Sequence, residues 1–264
     1  MSGLKRAPIT DFPERERISK TDRLNAQISR SGISIAGAPP LSGVLHLGSY
    51  PMKETGLMFK APLVRAILSD LKTQTRRAFS EHMMKQMRAA AAIGEVSHFL
   101  DEGSLQPNDL AYVQQFSPVG QPSDHIYVRE TFVQGYEYDP VIDRLRTCDD
   151  EGNDLPMKTW FRATDPCLTW SDEDGWETKV PWKPAIHMPK ALARIWLEVT
   201  GVRVERLQSI SRGDAMAEGC PFPNMADGAD PRDWFAEVWK STGGDWAANP
   251  WVWVIDFKRI EKPQ

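Results

Sequence analysis

The residues best suited to chemistry lie in one short run, KTQTRR at positions 72–77. Lysine and arginine supply positive charge and hydrogen-bond donors, and threonine supplies a hydroxyl that can act as a nucleophile. Successive side chains of an extended chain point to opposite faces, so Thr73, Thr75 and Arg77 are predicted to share one face. Such a cluster can hold an anionic or hydrogen-bonding ligand. Alternatively, its basic residues only complement the negative end of a preceding helix dipole.

A helix is predicted directly before this run. Apolar residues recur at helical spacing at positions 63, 67, 68 and 71, and Pro62 suits the first helical turn. The pattern predicts a helix over residues 63–71 with extended chain beyond it. The basic run therefore lies where the helix ends.

A second helix is predicted between Ile210 and Gly219, with Ser211 as N-cap and Asp214 in the first turn. Glu218 then falls in the last turn, where the helix dipole disfavours a carboxylate. A carboxylate in that position can transfer protons if a cation stands nearby. Glu218 is therefore a candidate catalytic group.

Three segments, residues 126–132, 192–204 and 250–257, are predicted to be strands because they are rich in β-branched and aromatic residues. In the last of them one set of alternating residues is Trp251, Trp253, Ile255 and Phe257, and the other is Val252, Val254 and Asp256. Both sets are largely apolar, which favours a curved sheet covered on both faces. The predicted fold class is α+β, a small mixed β-barrel with flanking helices.

The composition excludes several classes of protein. The chain has 264 residues, 41% of them hydrophobic, and a net charge of −4, which does not suit a broad surface for duplex nucleic acid. No apolar run approaches the roughly 20 residues of a membrane span, and no secretory signal is recognisable. We therefore expect a cytoplasmic protein without a membrane partner.

Cofactor and metal signals are also missing from the sequence. It contains no phosphate-binding loop and no dinucleotide fingerprint. The five histidines and three cysteines lack ligand spacing, so the thiols are predicted to be free. We expect no cofactor and no metal. The sequence leaves the oligomeric state open.

Composition also divides the chain. Residues 1–51 are polar with poor hydrophobic periodicity and are predicted to be a disordered extension, whereas 52–260 hold the folded domain. Two insertions are expected, at about 80–118 and 134–180. The first begins with a Met- and Ala-rich helix that is either part of the core or a lid over the site. The second carries the acidic excess and is interpreted as a solvated excursion.

Five segments of the chain resemble the ASCH superfamily, a relative of the PUA fold, in the form found in phage and prophage proteins. They are LMFKAPLVRAILSDLKTQTRR (57–77), IYVRETF (126–132), WKPAIHMPK (182–190), ARIWLEVTGVRVERLQSISRGDAMAEG (193–219) and NPWVWVIDF (249–257). The first contains the family signature, a helix followed by K-T-x-T-x-R. The resemblance implies a PUA-like barrel and a pocket directed at a nucleobase or RNA, in a bacterial host cell.

The resemblance also implies site residues. In members that hydrolyse acylated cytidine, the motif positions correspond here to Lys72, Thr75 and Glu218. Thr75 would be the nucleophile, Lys72 would activate it or stabilise charge, and Glu218 would shuttle a proton to the leaving amine. The chain departs from the family pattern at Asp70 and Ser123, where family members usually carry glycine. Both departures concern turns that favour a positive φ.

Further residues are candidates for substrate binding: Thr73, Arg76, Arg77, Arg129, Glu130 and His187. Arg129 and Glu130 could recognise a phosphate or base edge, or form a cross-sheet ion pair. His187, in a segment expected to be extended, could be a ligand, a base or a stacking group, or a structural histidine. Tryptophans at 246, 251 and 253 could form a stacking platform, or fill the core.

Two functions stay open at this point. The chain could hydrolyse a modified nucleoside of the N4-acylcytidine type, or RNA, through Lys72, Thr75 and Glu218. Alternatively, it could be a non-catalytic RNA-binding module that grips single-stranded RNA phosphates with its arginines and Lys72.

Overall fold

The computed structural model describes residues 52–94, 96, 112–139, 141, 144–171, 176–222 and 230–263. The predicted N-terminal extension, most of the second half of the first insertion and the acidic residues 172–174 lie outside them.

The described chain is an α+β protein with eleven strands and four α-helices. The strands are β1 Glu54–Met58, β2 Gln74–Ala78, β3 His125–Arg129, β4 Phe132–Gly135, β5 Tyr138–Asp139, β6 Arg144–Leu145, β7 Lys158–Phe161, β8 Trp170–Ser171, β9 Glu177–Thr178, β10 Trp196–Arg206 and β11 Trp251–Ile260. The helices are α1 Ala61–Leu68, α2 Glu81–Ala92, α3 Arg212–Ala217 and α4 Pro231–Ser241. Three short 3-10 turns cover Ala185–His187, Lys190–Leu192 and Leu207–Ser209.

Five strands form the central sheet in the order β1-β3-β10-β11-β2. β1 pairs with β3 in parallel, and the other three pairings are antiparallel. The remaining strands form three two-stranded hairpins or ribbons within the second predicted insertion. The α+β class is therefore as predicted.

The expected closed barrel is not formed by the described strands. β1 and β2 are the two edges of the sheet, and no ladder between them occurs among these residues. A side chain links the edges instead: the Arg77 guanidinium on β2 donates to the Met58 carbonyl on β1 at 3.0 Å and lies 5.0 Å from the Phe59 ring centroid. A bulky side chain between two edge strands takes the space that direct strand pairing would need.

Apolar side chains cover both faces of β11, as its alternation predicts. Trp253 and Ile255 belong to the larger core, together with Ile67 of α1. Val254, on the opposite face, belongs to a smaller cluster with Phe235 of α4. The alternating pattern of β11 therefore sets which side chains face the two layers of helix.

The helix that precedes the basic run is shorter than predicted. α1 ends at Leu68, because Asp70 adopts a positive φ of 57° and turns the chain. Leu71, which the pattern assigned to the helix, is exposed instead. Ser123 likewise has a positive φ of 81°. Both non-glycine residues thus adopt the backbone conformation expected at these two turns.

The Met-rich helix contributes to the core. α2 begins after the N-cap Ser80, whose hydroxyl accepts from the Met83 amide at 3.1 Å. Met83, Met87 and Ala90 are buried in the larger core cluster. Their common helix face therefore packs inward. No helix within the described residues has the length and apolar character needed to cross a membrane.

Candidate functional site

The basic run meets the end of α3. Lys72 and Glu218 form an isolated antiparallel bridge, and the Thr73 amide donates to the Ala217 carbonyl at 2.9 Å. α3 itself starts with the predicted N-cap, since Ser211 and Asp214 form a reciprocal capping box. It ends at Ala217, and Gly219, just after the C-cap, has the positive φ of 97° that favours glycine. These local signals bring the end of α3 to β2.

Lys72 is buried with three acceptors around its ammonium. Its Nζ donates to the Glu218 carboxylate (Oε2) at 2.6 Å, to the Glu218 carbonyl at 2.9 Å and to the Gln74 carbonyl at 2.8 Å. Burial lowers the pKa of Lys72 from its ordinary value, and the Glu218 carboxylate opposes this shift. All three neighbours accept hydrogen bonds, so this arrangement fits an ammonium better than a neutral amine.

Glu218 lies between two cations. Its Oε2 accepts from Lys72, and its Oε1 lies 3.4 Å from Nη1 of Arg76. Glu218 is the C-cap of α3, so it occupies the helix end that was predicted from its position. The two cations offset the unfavourable dipole at this end of the helix.

Thr75 is buried on β2, and no hydrogen bond among the described residues joins its hydroxyl to Lys72 or Glu218. Thr75 pairs with Ile255 and Arg77 pairs with Trp253, so these two residues share the face that was predicted for them. Thr73, predicted on the same face, is exposed. The proposed nucleophile therefore lies three residues from Lys72 without a direct bond to it.

Arg76 and Gln74 point to the other face of β2, into a cluster that the sequence did not predict. The cluster, here called the polar network, consists of Gln74, Arg76, Arg203, Glu205, Asp214 and Asp256. Arg203 donates to the carboxylates of Glu205, Asp214 and Asp256 at 2.6 Å each. Gln74 donates to Asp214 at 3.1 Å and to Asp256 at 2.7 Å. Polar side chains from β2, β10, β11 and α3 thus meet on one face of the sheet.

One carboxylate of the polar network has a strongly lowered pKa. Burial alone would raise the pKa of Asp214, but hydrogen bonds from Ser211 and Gln74 and the charges of Arg203 and Arg76 hold it at about 2. The pKa of Arg203 is raised: burial disfavours its charge, but the neighbouring carboxylates favour it more strongly. Asp214 and Arg203 are therefore both charged at neutral pH.

A signal for this network was present in β11. Asp256 follows Val252 and Val254 at alternate positions, so it is a carboxylate on a face that is otherwise apolar. A buried carboxylate needs a charged or hydrogen-bonding partner. The neighbouring strand β10 carries Arg203 and Glu205 at alternate positions, and Arg203 is such a partner for Asp256.

Arg77 is half-buried beside the ion pair. Burial lowers the pKa of Arg77, and the nearby Glu218 charge opposes that shift. The ring of Phe59 lies 5.0 Å from the Arg77 guanidinium and 6.0 Å from Lys72 Nζ. Phe59 therefore lies between two cations of the predicted site.

Arg129 and Glu130 have separate partners, and Glu130 forms its ion pair with Arg194. Arg129 donates to the backbone carbonyls of Met188, at 3.1 Å, and Ile186. The buried Glu130 carboxylate accepts two hydrogen bonds from Arg194, at 2.9 and 3.0 Å. Arg129 is the last residue of β3 and Glu130 directly follows the strand, so the two side chains lie where the chain leaves the sheet.

His187 was expected in extended chain, but it ends the 3-10 turn Ala185–His187. Prolines flank this turn on both sides. It is exposed. Trp251 and Trp253 are buried, and Trp246 packs against the smaller cluster. These tryptophans fill the core, which was the alternative to a stacking platform. The proposed platform is wrong for Trp251 and Trp253.

The described cysteines, Cys148, Cys167 and Cys220, are free thiols, as predicted. A group of three or more potential metal ligands is not found in the part of the chain that the structure describes.

Comparison with known proteins gives limited information. No family model matches the chain, and no curated protein gives a significant match. Among solved structures, the chain is similar to one titled "High resolution crystal structure of ASCH domain from Lactobacillus crispatus JV V101". The two are 11% identical, with a TM-score of 0.30, over 79% of this chain and 80% of that chain. A likeness at this level assigns neither a family nor the role of any residue.

Proposed function

We propose that the chain is an ASCH-type, nucleobase-directed hydrolase that cleaves the amide of an N4-acylated cytidine. The observation that carries the proposal is the buried Lys72–Glu218 pair, with its nitrogen and oxygen 2.6 Å apart. A buried ion pair contributes little to stability compared with apolar residues of similar volume. It does, however, combine a fixed positive charge with a group that exchanges protons, which is what amide cleavage requires.

The proposed reaction has two steps. In the first, the Thr75 oxygen attacks the acyl carbon, its proton passes through one water to Glu218 and then to N4, and the carbon–nitrogen bond breaks. This releases cytidine and leaves an ester on Thr75. In the second, water cleaves the ester, which releases the carboxylic acid and restores the hydroxyl. Lys72 keeps a positive charge beside the oxyanion in both steps.

The charges of the site favour a neutral substrate. Four cations face four carboxylates: Lys72, Arg76, Arg77 and Arg203 against Glu205, Asp214, Glu218 and Asp256. An additional phosphate would meet cations that are already neutralised. The amide of an acylated nucleobase carries no charge, so the carboxylates of the site do not repel it.

The RNA-binding alternative has less support from the side chains. The Arg76 side chain has no exposed surface, and Lys72 has 1%. Arg129 is occupied by two backbone carbonyls. A phosphate would have to compete with the carboxylates and carbonyls that already pair these groups.

The test is hydrolysis of N4-acetylcytidine and related N4-acyl cytidines by the full chain. We compare wild type with Lys72→Met, Thr75→Val and Glu218→Gln. Loss of a positioned acid or base typically costs about 10²–10⁴ in rate, and we expect a loss in that range. Equal folded concentrations are established by circular dichroism and unfolding.

Arg194→Gln is the matched control, because it also removes the cation that pairs with a buried carboxylate, Glu130. It should keep turnover within about threefold, even if it unfolds more readily. Wild-type rates in the Lys72 and Glu218 variants would refute the proposed site. No turnover on any substrate, together with salt-dependent retention of single-stranded RNA, would favour the binding module instead.

A further inference from the structure

Glu218 has a second cation in addition to Lys72. Oε2 of the carboxylate is 2.6 Å from the Lys72 nitrogen, and Oε1 is 3.4 Å from Nη1 of Arg76. Each oxygen of the carboxylate therefore faces a different cation. Two contacts at opposite ends of a planar group restrict its rotation more than a single contact does.

Arg76 is itself fixed from the other side. Its Nη1 donates to the Gln74 side chain at 2.5 Å, and its Nη2 donates to Glu205 at 3.1 Å. Nη2 also lies 3.4 Å from Asp214. The guanidinium carbon lies 5.8 Å from the Phe235 ring centroid on α4. Contacts from β2, β10, α3 and α4 thus set the position of the guanidinium.

Arg76 also spans two parts of the same helix. Asp214 is in the first turn of α3, and Glu218 is its C-cap. The planar guanidinium of arginine carries donors on separate nitrogens and can hold both carboxylates at one time. The ammonium of lysine has only one nitrogen and cannot reach both. This side chain therefore links the first turn and the C-cap of α3 to β2.

We propose that Arg76 is a positioning residue, which holds the Glu218 carboxylate toward Lys72 and does not contact the substrate. This inference rests on the proposed role of Glu218 and replaces the substrate-binding role predicted for Arg76 from the sequence. The absence of exposed surface on the Arg76 side chain argues against direct contact with a ligand. Its contribution to the reaction passes through Glu218.

The kinetic test uses Arg76→Gln and Arg76→Lys. A positioning role predicts that kcat falls in both variants while KM changes by less than about twofold, because the substrate contacts are intact. A misplacement of about 1 Å can cost a hundredfold in rate, and we expect a loss of roughly that size. Lysine restores the charge but cannot bridge Glu218, Asp214 and Glu205, so it should restore stability more than kcat.

Arg194→Gln is again the control, since Arg194 holds a buried carboxylate with two hydrogen bonds outside this site. It should leave kcat and KM near the wild-type values. A substrate-binding role for Arg76 would instead raise KM. A purely structural role would leave the kcat of the folded fraction unchanged in both Arg76 variants. Either result would overturn the inference.

A second readout does not depend on turnover. The Lys72 ammonium donates three hydrogen bonds in a buried place, so its protons should exchange slowly with water and give a ¹H–¹⁵N signal. Lys72→Met identifies the signal by its loss. We expect the signal in wild type and in Arg194→Gln, and its shift or loss in Arg76→Gln.

The two readouts separate this inference from the proposed function. An unchanged Lys72 signal in Arg76→Gln would overturn the positioning role, whether or not the wild type has turnover. A changed signal in a protein that hydrolyses none of the substrates would support the positioning role and refute the proposed reaction. A changed signal with a selective fall in kcat would support both.

Discussion

The ion pair between Lys72 and Glu218 should be strongly coupled in stability. Lys72→Met removes all three hydrogen bonds of the ammonium and leaves the Glu218 carboxylate with Arg76 at 3.4 Å. Glu218→Gln leaves the ammonium with two backbone carbonyls and a neutral amide. Each single change therefore leaves one buried charge incompletely paired.

The expected magnitude follows from these remaining contacts. Breaking a buried ion pair by removing one partner typically costs about 3–5 kcal/mol. Arg76 and the two carbonyls still offset part of the remaining charge, so we expect about 3 kcal/mol for each single variant. The double variant removes both charges, so neither remains without its partner. We therefore expect about 4 kcal/mol for the double variant, and hence a coupling energy of about 2 kcal/mol.

Urea unfolding of the four proteins at neutral pH measures this cycle, with equal m values as the check that the unfolded states match. Additive single effects, within about 0.5 kcal/mol, would refute the coupling. The same cycle at Arg194 and Glu130 is the control. Its coupling should be smaller, because 30% of the Arg194 side chain is exposed and solvent screens its charge.

Three further variants test the backbone and the charges around the site. Ser123→Gly relieves a positive φ of 81° and should raise the free energy of unfolding by about 1 kcal/mol in urea. Gly219→Ala would place a Cβ 3.1 Å from that of Lys72 at a φ of 97°, so it should lower both stability and the Lys72-dependent rate. Asp214, with a pKa of about 2 against an ordinary 3.8, contributes stability above its ordinary pKa that is lost as pH falls toward 2. Asp214→Asn should therefore flatten the fall in stability over that range, measured by thermal unfolding. An unchanged slope would contradict it.

Local signals predicted much of the fold. The N-cap of α3 and the glycine after it were visible as Ser211 and Gly219, because caps depend on residues that are close in sequence. The two-sided alternation of β11 predicted the two apolar layers that contact it. The left-handed turn at Asp70 was not predicted by the apolar spacing, which extended the helix to residue 71, and only the family resemblance pointed to a turn there.

The polar network could not be predicted in the same way. Arg76 and Glu218 are 142 positions apart, and no local sequence pattern predicts that the strand and the helix that carry them will be neighbours. The open edge of the sheet was also missed, because a side chain, Arg77, links β1 and β2 where a ladder was expected. Both features depend on contacts between distant segments, which residue spacing does not contain.

The energetic balance of the site supports a role other than stability. The Nε of Arg76 is buried and has no hydrogen-bond partner among the described residues. A buried donor without a partner costs about 1–3 kcal/mol, and apolar residues of similar volume would often be equally or more stable than the ion pairs beside it. The apolar clusters on both faces of β11 offset this cost. An arrangement that folding alone does not require is what the proposed chemistry of Lys72 and Glu218 predicts.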